Sequence, residues 1–152
     1  MKKNIGTPLF IHRMAHIAIA RSLYNNEITE KLLESCLKEL KANGLQDDSI
    51  KVVEVPGAFE LPYACQKLAL FKKYDAIIAL GAIIRGETPH FDFIAQNTAQ
   101  GIMDVSLKFG IPVIFGVLTT NNPAQAKARV KGGKRGDKGK EAARTALKLL
   151  TI

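Results

Sequence analysis

Residues 75–84 read Asp-Ala-Ile-Ile-Ala-Leu-Gly-Ala-Ile-Ile and run straight into Arg85-Gly86-Glu87-Thr88-Pro89-His90-Phe91-Asp92. From Ala76 onward the first part offers no polar position that a solvated face would need, and it is rich in β-branched residues. It predicts a strand buried on both faces. Residues 16–20, 51–55 and 111–118 are apolar runs of the same kind. Between them the period changes: Ile28, Leu32, Leu33, Cys36, Leu37 and Leu40 recur at helical spacing and stop at Gly44, a residue suited to the left-handed position after a helix. Leu61, Ala64, Cys65, Leu68 and Ala69 mark a second helix, and residues 91–109 a third. A fourth opens at Asn122-Pro123, where Asn caps and Pro enters the first turn; a last one covers about 138–150.

Strands that alternate with helices and are apolar on both faces require a parallel sheet covered on both sides, with right-handed crossovers. The expected architecture is an α/β three-layer sandwich, a four-stranded parallel sheet with helices on both faces, of the flavodoxin-like kind. A chain of 152 residues has the size of one domain, so residues 1–152 are read as one unit. Residues 1–13 are polar, carry Gly6-Thr7-Pro8 and fit no helix; they read as a frayed tail or as an arm lent to a neighbouring subunit.

Hydrophobic residues at 47% and charged residues at 24% are ordinary globular usage. No apolar run approaches the roughly 20 residues of a membrane span, and the opening residues lack a signal-peptide core, so a cytoplasmic protein without membrane partners is expected. Cys36 and Cys65 sit in apolar-periodic segments as small hydrophobes, suggesting neither a disulfide framework nor a metal site. The net charge of +8 invites a nucleic-acid reading. Its one dense cluster, residues 127–140, is however interleaved with Gly132, Gly133, Gly136 and Gly139 rather than with stacking aromatics, and nucleic acid is not the expected partner.

In an open parallel sheet, ligands bind outside the carboxyl ends of the strands. After the first strand stands Arg21-Ser22-Leu23-Tyr24-Asn25-Asn26, a polar loop with one aromatic. After the second stands Val55-Pro56-Gly57-Ala58-Phe59-Glu60-Leu61-Pro62, a tight turn that leaves Phe59 and Glu60 at a helix start; there Glu60 either binds a ligand or complements the helix dipole. The third strand's loop holds Arg85, the Thr88 hydroxyl, amides freed by Gly86, and His90, whose imidazole exchanges protons near neutral pH.

Together, PGAFELP (56–62), GAIIRGETPHFDF (81–93) and IPVIFGVLTTNNPAQA (111–126), followed by the Gly/Lys segment and GKEAA (139–143), closely resemble the lumazine synthase family, over most of the chain and in family order. The resemblance implies a transferase of riboflavin biosynthesis. It would condense 5-amino-6-(D-ribitylamino)uracil with 3,4-dihydroxy-2-butanone 4-phosphate, release phosphate and water, and use no metal or cofactor. It also implies a homo-oligomer, a pentamer, whose sites are shared between neighbours, with riboflavin synthase as the downstream partner. Tyr24 falls where the family stacks an aromatic on the pyrimidine, and Asn25 where a side chain meets the ribityl group. Ala58, Phe59 and Glu60 match the ribityl-binding turn, and Ala82, Ile83 and Ile84 the strand end whose backbone reads the pyrimidine edge. Phe115 matches the aromatic from the adjacent subunit, and Lys138 the lysine near the ribityl chain. Arg129 matches the phosphate anchor, beside the Gly86-Glu87-Thr88 turn. His90 matches the proton-transfer residue and Glu141 its accompanying acid.

The chain departs from the family pattern at Leu23-Tyr24-Asn25, where Arg-Phe-Asn is usual, and at Glu87, where a carboxylate replaces a small residue beside the phosphate. Residues 131–138 are one residue longer than usual, a change the family associates with pentamers that do not close into sixty-subunit shells. A flavin- or lumazine-binding module of the same fold without efficient turnover is the alternative. A flavodoxin-like signalling or flavin module would want a hydroxyl- and Gly-rich loop after the first strand, where Arg21-Ser22-Leu23-Tyr24 stands.

Overall fold

The structure is a computed structural model, described here over residues 14–152; the arm expected at residues 1–13 lies outside the described residues. Four strands, β1 (Ile17–Ser22), β2 (Ile50–Val55), β3 (Ala76–Ile84) and β4 (Val113–Thr120), pair in the order β2-β1-β3-β4. Every pairing is parallel. The helices are α1 (Asn26–Ala42), α2 (Leu61–Leu70), α3 (His90–Phe109), α4 (Pro123–Lys127) and α5 (Lys138–Leu149).

The alternation of side chains along each strand divides the core in two. Ile17, Ile19, Ile78, Leu80, Ile114 and Leu118 face α1, α4 and α5, where Leu32, Cys36, Ala126, Ala143 and Leu147 meet them. Ala18, Ala20, Ile77, Ala79, Ile83 and Val117 face α2 and α3, meeting Leu61, Cys65, Leu68, Ile102 and Val105. Because β1 and β3 are central and β2 and β4 lie at the edges, β1 is buried along its whole length and the apolar run of residues 76–83 in β3 is buried throughout. Ile19, Ile78 and Leu80 are wholly buried, and each such side chain contributes about 1.5–3 kcal/mol by leaving water.

Cap chemistry sets the helix ends as the sequence predicts. Gly44 has φ of 102°, just past α1. The Asn122 carboxamide accepts a hydrogen bond from Gln125 N at 2.9 Å, with Pro123 in the first turn of α4. Strand bounds shift slightly: β1 runs on through Arg21 and Ser22, which are buried although polar. Arg21 is accommodated because its guanidinium reaches Asn26 Oδ1, Thr29 Oγ1 at 3.4 Å and Glu54 Oε2 at 3.5 Å. Burial also pushes both thiols, Cys36 and Cys65, up to about 12.

Two features of the register position the site. β1 leads through α1 on one face and β3 through α3 on the other, so the crevice between their carboxyl ends is the topological switch point. In addition β1 pairs with β3 only as far as Arg21↔Leu80, whereas β3 pairs with β4 through Ile84↔Thr120. The end of β3 thus stands free on the β1 side.

Candidate active site

The crevice is a cavity of about 570 Å³ lined from the carboxyl ends of β1, β2 and β3. From the β1–α1 turn come Tyr24 and Asn25; from the β2–α2 turn Gly57, Ala58, Phe59 and Glu60; from β3 and its loop Ala82, Ile83, Ile84, Gly86, Thr88 and His90. Tyr24 and Phe59 are 74% and 57% exposed, so two rings stand at the cavity with open faces. Such faces suit stacking on a planar heterocycle.

Asn25 adopts a left-handed conformation, φ 60° and ψ 46°, which Asn tolerates better than most residues. There its amide donates to the Ala82 carbonyl at 2.8 Å, bridging the switch point and leaving Oδ1 for a ligand. Since Ala82 O points toward β1, strand alternation turns the N–H and C=O of Ile84 the same way. The ladder with β1 stops at Leu80 and Asn25 takes up the Ala82 carbonyl, so the N–H and C=O of Ile84 are offered at this edge as donor and acceptor. Glu60 Oε2 accepts from Gly57 N at 3.0 Å, so its carboxylate closes the Pro56-Gly57 turn while lining the cavity. Thr88 Oγ accepts from His90 N at 3.3 Å, which leaves the hydroxyl proton free to donate. His90 opens α3 and is exposed.

The remaining expected residues form a second group. Phe115, Arg129, Lys138 and Glu141 share a cavity of about 660 Å³ between the outer edge of β4 and α5. Phe115 is 44% exposed although it sits in a strand, because β4 is an edge. Arg129 donates through one Nη to Gln125 O at 2.9 Å and keeps its other donors. Lys138 Nζ and Glu141 Oε2 are 3.0 Å apart. The structure therefore does not bring His90 and Glu141 together within one chain. They line different cavities.

Glu87 is exposed and lines neither cavity, whereas its neighbours Gly86 and Thr88 line the crevice. Phe91 and Ile94, which sequence reading passed over, line the crevice from α3. The i, i+3 spacing of these apolar residues just after His90 was the available signal. Arg85, the loop cation to which the sequence assigned no role, pairs with Asp92 at 3.0 Å across the loop.

The basic cluster is in part a seam between helices. Lys127 and Lys131, with Arg144 beyond the cluster in α5, pair with Glu27, Glu34 and Glu39 of α1 at 3.6, 2.8 and 2.8 Å. The hydrogen bond from Lys131 holds the Glu34 carboxyl below the ordinary range, and Arg144 does the same for Glu39; Lys131 in turn is raised. Among the described residues no His, Cys, Asp and Glu side chains gather in threes as a metal ion's ligands would.

A family model described as 6,7-dimethyl-8-ribityllumazine synthase matches residues 14–152. The chain is 48% identical, over 138 residues, to the 6,7-dimethyl-8-ribityllumazine synthase of Protochlamydia amoebophila (strain UWE25), covering 91% of this chain and 80% of that one. It is 47% identical, again over 138 residues, to the enzyme of that name from Chlorobium phaeovibrioides (strain DSM 265 / 1930), covering 91% and 88%. With a family match over all of residues 14–152 and relatives at 47% and 48% identity, the chain belongs to the 6,7-dimethyl-8-ribityllumazine synthase family.

Proposed function

We propose that this chain forms 6,7-dimethyl-8-ribityllumazine by condensing 5-amino-6-(D-ribitylamino)uracil with 3,4-dihydroxy-2-butanone 4-phosphate, at sites each built from two neighbouring subunits of a pentamer. The observation that carries the reading is the division of the expected residues. All but Glu87 line one of two cavities, and Phe115, the aromatic expected from the neighbouring subunit, lies with Arg129 in the β4–α5 cavity, away from His90. A complete site then forms when the β4–α5 edge of one chain faces the crevice of the next.

In such a site the pyrimidine stacks on Tyr24 on one side and on the neighbour's Phe115 on the other, its polar edge meeting the backbone at Ala82 and Ile84. The ribityl hydroxyls lie along Ala58, Phe59 and Glu60, with Asn25 Oδ1 and the neighbour's Lys138 in reach. The phosphate is gripped by the neighbour's Arg129, whose planar fork engages two oxygens, and by the Gly86 and Thr88 turn. Amine addition to the ketone, loss of water to an imine, departure of phosphate and ring closure each move protons, which His90 exchanges and Glu141 assists. Holding both reactants in one geometry supplies much of the rate.

Mixing the two substrates with the protein and following the fluorescent lumazine tests the proposal. Formation well above the uncatalysed background is the expected result. Binding of riboflavin or the lumazine without turnover would instead identify a binding module of the same fold.

A further inference from the structure

The segment that carries the Gly86–Thr88 turn is not held by packing, since every residue from Arg85 to His90 is exposed. Polar contacts at its base hold it instead. Arg85 N donates to Thr120 O at 2.9 Å, anchoring the loop's start to β4. Arg85 Nε donates to Asn121 Oδ1 at 3.3 Å, and its two terminal nitrogens donate to Asp92 Oδ1 and Oδ2 at 3.0 and 3.3 Å. The guanidinium also lies 4.3 Å from the centroid of the Phe91 ring. One side chain thus clasps the first turn of α3 in a planar two-pronged contact and a cation–π contact at once. With its fork committed to Asp92, Arg85 does not line the crevice.

We propose that Arg85 is the positioning residue of the anion-binding turn: by clasping Asp92 and Phe91 it closes the loop at its base and holds the Gly86 and Thr88 donors converged on the phosphate. This rests on the assignment of that turn to the butanone phosphate. Two readings of Arg85 predict opposite signs. If it served as a cation that attracts phosphate from a distance, removing the opposing charge of Asp92 would tighten anion binding. If it positions the turn, the same change loosens the clasp and weakens anion binding.

The experiment compares wild type, Asp92→Asn and Arg85→Lys, the last keeping the charge but losing the fork. Affinity for inorganic phosphate is measured by titration calorimetry, and KM is measured for each substrate separately. Both side chains of the pair are about half exposed, so the unfolding midpoint is expected to stay near that of wild type. Both variants are expected to bind inorganic phosphate, and to show KM for the butanone phosphate, roughly tenfold weaker, the scale at which supporting contacts act on a binding group. KM for the ribitylaminouracil should not move. Unchanged or tighter phosphate binding in Asp92→Asn, full retention in Arg85→Lys, or equal loss for both substrates overturns the proposal. A wild-type protein that makes no lumazine overturns the assigned reaction instead, and the phosphate titration still decides the role of Arg85.

Discussion

At the scale of single residues, His90 is the histidine that lines the crevice, and the proposed mechanism gives it the proton transfers. His90→Ala is expected to lower kcat by up to roughly 10²–10⁴-fold, the range of a positioned proton-transfer group. Its exposure means the unfolding midpoint should not change. Turnover equal to wild type in the lumazine assay would take His90 out of the mechanism. His90, Tyr24 and Asn25 were legible in the sequence because each follows a buried apolar run that had to be a strand. Arg85 was not, since its meaning lies in the contacts its guanidinium makes with Asp92, Phe91 and Asn121, and a sequence lists neighbours in order without showing which of them touch.

Among the elements, the contact of α1 with α5 sets the floor beneath Lys138 and Glu141. A Cβ added at Gly139 would stand 2.2 Å from Leu32 O, so the two helices pack backbone to backbone there. Gly139→Ala is expected to destabilise the fold by about 1–3 kcal/mol, the cost of overpacking a contact that has no soft side chain to yield. A variant that melts with wild type would show that α5 shifts freely. The same seam carries Glu39 with Arg144 and Glu34 with Lys131. Both carboxyls lie below their ordinary 4.5 in the folded chain. The stability they contribute is therefore present above pH 4.5 and is lost as pH falls through the lowered folded values. The gap in unfolding midpoint between wild type and Glu39→Gln should be open at neutral pH and should close in acid. A gap independent of pH would mean that the pair adds nothing through charge. The helix itself was legible from its apolar stripe, but which glutamates meet which cations depends on where the last helix docks.

For the whole molecule, the expected assembly is a pentamer without a closed sixty-subunit shell. A head-to-tail contact that completes one site per chain is satisfied throughout only when a ring closes. The lengthened stretch 131–138 reads in sequence as four crowded cations, Lys131, Lys134, Arg135 and Lys138. Folding leaves fewer uncompensated, because Lys131 pairs with Glu34 and Lys138 with Glu141. Among the described residues only Lys134 and Arg135 of the four make no ion pair, so the extra length carries more of the argument against a shell than charge does. Light scattering in low-phosphate buffer should give a particle near five chain masses; one near sixty would show that the loop permits closure, and a single chain mass would remove the shared site. The sequence by itself determined the sheet, its parallel sense and the strand ends that carry chemistry, because burial on both faces and the change of apolar period are local properties of the chain. Only the tertiary structure decided that β3 outruns β1, that Asn25 bridges to Ala82, and that Phe115 and Arg129 face away from His90. Register, long-range hydrogen bonds and the division between cavities arise from elements far apart in the chain, and no local pattern encodes where those elements meet.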